Sequence, residues 1–302
     1  MSGGRTLAGV AAGLGAGALW GLVFVAPRMV HGYSAVDLTA GRFLAYGAVA
    51  ALLMLWSLRR RALPTVPQAL AAAGMSLLGF TGYYLLLVLA IRDAGTEVPT
   101  LVIGTIPIWV MLLGKPGHLK WGALLPGLAL TAAGLALMVG TPHGAGAAGA
   151  SSDFARGVVY AVASLVCWTA FALVNSAWLK KHPQVQATEW ANWLGVATGL
   201  GALALWAVAG SPAPTLLAQP DRGMFLALAV ATGFGSAWLA TILWNIASRR
   251  LSASLCGQLI VSETLFALLY SFAWDGQWPS PAQLTACVLF TLGILASIKA
   301  HR

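Results

Sequence analysis

The sequence predicts an all-α membrane protein: ten transmembrane helices arranged as two inverted five-helix repeats, with N- and C-termini cytoplasmic. Three observations point there. Only 8% of the 302 residues are charged and 59% are hydrophobic, whereas soluble chains carry about 25% charge, so there is too little polar surface to coat a globule. The apolar residues fall in continuous runs of the length needed to cross roughly 30 Å of hydrocarbon, about 20 residues each. The later runs also repeat features of the earlier ones.

The runs are 6–30, 35–57, 67–90, 94–114, 119–140, 155–178, 186–209, 223–247, 251–273 and 280–299. The start, MSGGRTLAGV, has one Arg and no clear small-residue cleavage site, so segment one reads as a span and not as a removed signal peptide. It carries Gly9, Gly13, Gly17 and Gly21 at four-residue spacing, a pattern that permits close helix contact. Arg42, early in segment two, can snorkel to the interface, pair with Asp37 or hold a substrate carboxylate. The run Arg59-Arg60-Arg61 with Pro64 precedes segment three. Pro99 and Pro107 can break segment four and free carbonyls toward a cavity. The Gly/Ala/Ser stretch 143–152 separates segments five and six, and Ser211-Pro212-Ala213-Pro214 separates seven from eight. Glu97 and Glu189 begin helices, where an acid complements the dipole. An outer-membrane barrel is excluded, because its strands would alternate. The chain thus divides into a first repeat over 1–142, a Gly/Ala/Ser-rich linker over 143–154 and a second repeat over 155–302.

Orientation follows from Lys and Arg. With a cytoplasmic N-terminus, that side holds Arg5, Arg59, Arg60, Arg61, Lys115, Lys120, Lys180, Lys181, Arg249, Arg250, Lys299 and Arg302, against Arg28, Arg42, Arg92, Arg156 and Arg222 opposite. Loops this short leave no room for a soluble catalytic domain.

Sliding the chain by about 150 residues aligns its halves. Trp20 with Pro27 matches Trp168 with Asn175, and Trp56 falls opposite Trp206. GFTGYYLLLVLAI in segment three matches GFGSAWLATILWNI in segment eight, and Pro107 falls opposite Glu263. Five spans per half is an odd number, so the halves must face opposite ways. Inverted repeats about a midplane site are a recurring plan of secondary transporters.

Other classes are excluded. The net charge of +9 sits in clusters between apolar runs and does not form a nucleic-acid surface. Cys167, Cys256 and Cys287 are far apart inside apolar segments, giving neither a disulfide framework nor a CxxC site. His31, His118, His143, His182 and His301 lie in loops or at the end, so no intramembrane dyad or metal cluster can be built from them. Gly114-Lys115 is followed by Pro116, not a P-loop. The sequence therefore predicts no enzyme, no cofactor and no metal.

Trp20-Gly21, Arg42, the passage from Pro107 through Gly114 into 121–140, GQLIVSETLFALLY and the closing TACVLFTLGILASI resemble the EamA-type ten-helix carriers of the drug/metabolite transporter superfamily. Length, helix number and an aromatic interior most resemble the YddG-type exporters of aromatic and other amino acids. The resemblance implies a multi-pass carrier of the cell inner membrane, exporting small amphipathic metabolites, amino acids among them, by alternating access. Its partners would be that small-molecule substrate and membrane lipid, with no nucleic acid, and the protein would be a monomer or weak dimer. Alternatives are export of cationic drugs or other organic solutes, or a non-transporting membrane enzyme or scaffold. Proton-coupled small multidrug relatives carry an acid in their first helix. This chain has none in segment one or six.

Glu263 is the sharpest site candidate, since an ionised acid at mid-helix costs about 2.5–3.5 kcal/mol on translocon scales. Gln258 and Ser262 extend a polar sector along the same segment. Trp168 and Asn175 share a face of segment six, and Tyr83 and Tyr84 pair by repeat with the region of Trp238. In the family, helices one, three, four, six, eight and nine surround the cavity, which implies that these side chains line it. Aromatic walls with a few polar groups suit an amphipathic solute. The alternative for each is packing within the bundle.

Overall fold

The computed structural model describes residues 2–57, 63–94, 97–140, 153–276 and 278–301. Arg59-Arg60-Arg61 and the linker stretch 143–152 lie outside them. Among the described residues every regular element is helical. α1 (Ser2–Gly21) runs into two short 3-10 turns ending at Met29. α2 (Ala35–Ser57) and α3 (Val66–Ala94) follow, then the short α4 (Glu97–Gly104) and α5 (Ile106–Leu113), and α6 (Trp121–Gly140). The second half has α7 (Phe154–Lys181), α8 (Ala187–Ala209), the short α9 (Ala213–Ala218), α10 (Arg222–Arg250), α11 (Ala253–Asp275) and α12 (Pro281–Ala300). Nine helices among the described residues are long and apolar enough to cross a membrane, and the remaining apolar stretch is the broken pair α4 and α5. Segment four, read from the sequence as one run, thus parts at Thr105. Pro107 sits in the first turn of α5, where its missing N–H costs nothing.

Local signals explain where helices begin and end. Thr65 with Gln68, Gln186 with Glu189 and Ser280 with Gln283 form capping boxes at the starts of α3, α8 and α12. Glu189 accordingly accepts from the Gln186 N–H at 3.2 Å. α11 ends on Gly276, whose φ of +62° is the left-handed turn that favours glycine.

The halves interlock through helices that meet their own counterparts. α2 packs on α8, α5 on α11 and α6 on α12. Each pair is antiparallel: Asp37 meets Ser211 while Gly47 meets Gly199, Gly114 meets Ala253 while Gly257 meets Val110, and Gly127 meets Ser297 while Gly134 meets Phe290. The remaining contacts swap in the same way, with α1 on α10 and α3 on α7. Helix n of one half therefore treats the other half as its equivalent does, in reverse direction, which is the inverted-repeat arrangement.

The glycine stripe of α1 lies on α11. An added methyl would stand 2.9 Å from Leu251 at Gly9, 2.6 Å from Leu259 at Gly13 and 2.9 Å from the Ala267 backbone at Gly21. Backbones this close gain dispersion contact in place of a hydrophobic driving force that lipid cannot supply. The two Gly-Phe passages matched in the sequence share a further feature. α3 widens to a π-helical turn over Leu77–Thr81 and α10 over Gly233–Leu239. Such turns concentrate at functional sites. The outer surface is apolar, with Trp56, Trp121, Trp274 and Trp278 exposed near helix ends as in an interfacial belt.

Candidate solute-binding site

The first π turn sets Tyr83 and Tyr84 beside Arg42 of α2. The guanidinium of Arg42 stands within electrostatic reach of both tyrosines and of Glu263 on α11. Among the described residues neither Arg42 nor Glu263 forms a salt bridge, and the buried Arg42 Nε has no hydrogen-bond partner. The pairing with Asp37 allowed by the sequence does not form. Asp37 instead accepts from Ser34 Oγ at 2.7 Å, from Ser211 N–H at 2.8 Å and from Ser211 Oγ at 2.7 Å. Arg42 and Tyr84 line a cavity of about 140 Å³, together with Val23, Ala35, Thr39 and Thr232. Tyr84 Oη donates to the Ala35 carbonyl at 2.7 Å across it.

Trp168 belongs to an aromatic cluster at the junction of the halves. Its ring centroid is 6.4 Å from that of Trp20 and 6.1 Å from that of Trp244, and the latter two are 5.4 Å apart. Trp20, left by the sequence at the edge of the glycine stripe, faces its own repeat equivalent. Its position opposite Trp168 in the alignment was the available signal.

Beyond the cluster, toward the end that holds Lys180, Lys181, Arg249 and Arg250, polar side chains bond helix to helix. Asn175 is fully buried; its Oδ1 accepts from Trp190 Nε1 at 2.7 Å and its Nδ2 donates to Asn245 Oδ1 at 3.2 Å. The Arg249 guanidinium donates to the Val185 and Pro183 carbonyls. Asn175, expected on the cavity wall, is here a bond between helices. Gln258 is likewise a bond between helices, whereas Ser262 bonds within its own helix. Gln258 donates to Thr131 Oγ1 at 2.9 Å and accepts from Ser297 Oγ at 3.0 Å, tying α11 to α6 and α12. Ser262 donates to the Leu259 carbonyl at 2.7 Å and lies against Gly17. Trp190, Thr131 and Ser297, which complete these bonds, carry no individual signal in the sequence.

Trp238 is the repeat equivalent of Tyr84 and lines a different cavity. This one measures about 280 Å³ and includes Met54, Trp56, Gln186, Glu189, Asn192 and Trp193. Trp238 Nε1 donates to Asn192 Oδ1 at 2.7 Å. Each π turn thus sends an aromatic ring to the first turns of a partner helix, Tyr84 to α2 and Trp238 to α8. Of the two charges without a salt bridge, Arg42 lines the first, smaller cavity and Glu263 lines neither. Among the described residues no group of His, Cys, Asp and Glu could hold a metal ion.

Two interlocked five-helix halves around a charged and aromatic interior define a polytopic membrane carrier. The EamA-like transporter family model matches residues 7–139 and again 155–298, and the chain belongs to that family. It is a transporter and not an enzyme. The chain is 33% identical to the inner membrane protein YtfF of Escherichia coli (strain K12) over 312 residues, covering 97% of this chain and 96% of that protein. A crystal structure of a protein 23% identical superposes with a TM-score of 0.75, covering 98% of this chain and 99% of its own, which supports the fold.

Proposed function

We propose that this chain exports small amphipathic metabolites, amino acids including aromatic ones, across the inner membrane by alternating access. The repeats 1–142 and 155–302, joined by 143–154, would rock about the central site with both termini cytoplasmic. The observation that carries the reading is the cluster of Trp20, Trp168 and Trp244 set where the halves meet, in a bundle that also holds Arg42 and Glu263 within electrostatic reach of each other. Such a wall accepts an apolar side chain while polar groups fix orientation. The naming of the Escherichia coli relative as an inner membrane protein supports the location. The YddG-type resemblance supports the cargo and the direction.

The test is flux of labelled amino acids into liposomes holding the purified protein, with and without a pH gradient. Saturable flux without a gradient is the facilitative outcome. Flux that needs the gradient and disappears in Glu263→Gln makes Glu263 the proton site. No amino acid flux in either case rejects the cargo. Glu263 beside aromatic rings also favours a second reading, a lipophilic cation held by cation–π contact. Growth protection against toxic cations but not toxic amino acid analogues would select it.

A further inference from the structure

We propose that the larger cavity, at the end of α2 opposite Arg42, is a second solute site where cargo loads, and that Asn192 is its hydrogen-bond donor. It takes a solute with an apolar body and a carboxylate or carbonyl oxygen. The inference rests on the transport reading above and adds to it a residue and a place of entry. The cavity measures about 280 Å³, close to the lower bound of about 300 Å³ for pockets that hold small molecules. It lies between the last turns of α2, with Met54 and Ser57, and the first turns of α8, from Gln186 to Trp193. That end of the bundle holds Lys180, Lys181, Arg249 and Arg250. The charge bias of the sequence assigns it to the cytoplasm, the side from which an exporter loads.

Asn192 is only 8% exposed. Its Oδ1 accepts from Trp238 Nε1 at 2.7 Å. An indole N–H only donates, so this bond fixes which way the amide faces and leaves the two protons of Nδ2 unspent. Among the described residues Nδ2 has no acceptor, yet unlike the Arg42 Nε it keeps accessible surface, and the space that Asn192 lines is the cavity. A nearly buried amide nitrogen without an acceptor is uncommon, and a ligand oxygen relieves its cost. The rings around it are held before any solute arrives. Trp238 stacks on Phe234 at 5.1 Å between centroids, and Trp193, itself buried, meets Trp190 edge-on at 5.9 Å. Apolar walls with a placed donor orient an amphipathic solute. Glu189 lines the same cavity one helical turn before Asn192, about 5–6 Å away between Cβ atoms. Its carboxylate offers about four acceptor positions, and the Gln186 N–H is one of its donors. It can therefore also receive the ammonium that an amino acid carries beside its carboxylate. The alignment that sets Trp56 opposite Trp206 sets Arg42 opposite Asn192. Each cavity joins the residue at that position to the ring sent by a π turn, Arg42 with Tyr84 and Asn192 with Trp238. The larger cavity is thus the inverted-repeat image of the smaller.

The experiment uses phenylalanine, phenethylamine, which lacks the carboxylate, and 3-phenylpropionate, which lacks the amine. Each competes against labelled phenylalanine for binding to the purified protein, and phenylalanine flux is followed in liposomes. The wild type should bind phenethylamine about tenfold or more weakly than phenylalanine, the effect of losing a hydrogen bond to a charged group. Asn192→Asp keeps an acceptor for the Trp238 indole and removes both donors, so it should erase that preference and slow flux. An Asn192 that only anchors Trp238 would leave both unchanged. Glu189→Gln retains the capping box; it should keep the preference over phenethylamine and lose that over phenylpropionate. Preference ratios are independent of how much protein inserts, and Asn192→Leu, which also lacks the donors, serves where Asn192→Asp does not fold. A wild type without the preference over phenethylamine, or a preference unchanged in the Asn192 variants, overturns the loading site alone. Absence of phenylalanine binding and flux in the wild type overturns the transport reading beneath it.

Discussion

Gly47 and Gly74 are both helical, and their surroundings separate them. A methyl added at Gly47 would stand 2.6 Å from the Cα of Gly199, while one added at Gly74 meets nothing within 4 Å. Gly47→Ala should therefore destabilise the protein by about 1–3 kcal/mol through forced separation of α2 and α8. Gly74→Ala should stabilise it by about 0.5–1 kcal/mol, because alanine gives up less backbone freedom in a helix. Thermal unfolding of the two purified variants checks both signs. Asn175→Leu should cost about 1–3 kcal/mol for each buried partner left unpaired, here Trp190 Nε1 and Asn245; equal melting of variant and wild type would contradict the bond network. Residue chemistry was the least legible level in the sequence. A polar side chain in an apolar run announces that it needs a partner without saying which. Gln258 found Thr131 and Ser297 on two other helices. Arg42 kept three open readings because the capture of Asp37 by Ser211 spans most of the first half and part of the second.

At the scale of elements, the sequence located the spans well because hydropathy is set by each run alone. It also placed the glycine stripe and the weak point of segment four, both of which follow from local sterics. The two π turns were visible only as a matched Gly-Phe motif, since widening a turn depends on what presses against it: Phe171 on Gly79, and the Arg42 carbonyl and Ala45 on Gly233. A π turn accommodates one extra residue without rotating the helix beyond it. Removing one residue from Leu77–Thr81 should therefore leave Tyr83 and Tyr84 on their present face and raise the melting temperature. The same deletion should lower flux, as expected where a strained element serves function at the expense of stability. Melting and liposome flux measured on one preparation decide it; a deletion that leaves flux intact removes the π turn from the mechanism.

For the whole molecule, each half presents to the other the surface that the other presents to it. Polypeptides 1–142 and 143–302, produced separately in one cell, should associate and copurify, because α2, α5 and α6 each find their counterparts without the linker. Tagging one fragment and recovering the other measures this, and Gly47→Leu should reduce the yield.

The self-paired helices also divide the chain energetically. In the proposed alternating-access cycle, a substitution on the axis relating the halves, at Gly47 or Gly199, would meet the same neighbours in both facings and penalise both alike. A substitution away from the axis would not. Asn175 fastens one end through Trp190 and Asn245, and its repeat equivalent in the sequence is Pro27, which has no side-chain donor or acceptor to offer. Under that proposal the resting ratio of the two facings would be set by such unmatched positions. A shift of about 1.4 kcal/mol at one of them changes that ratio tenfold, with the bundle itself undisturbed.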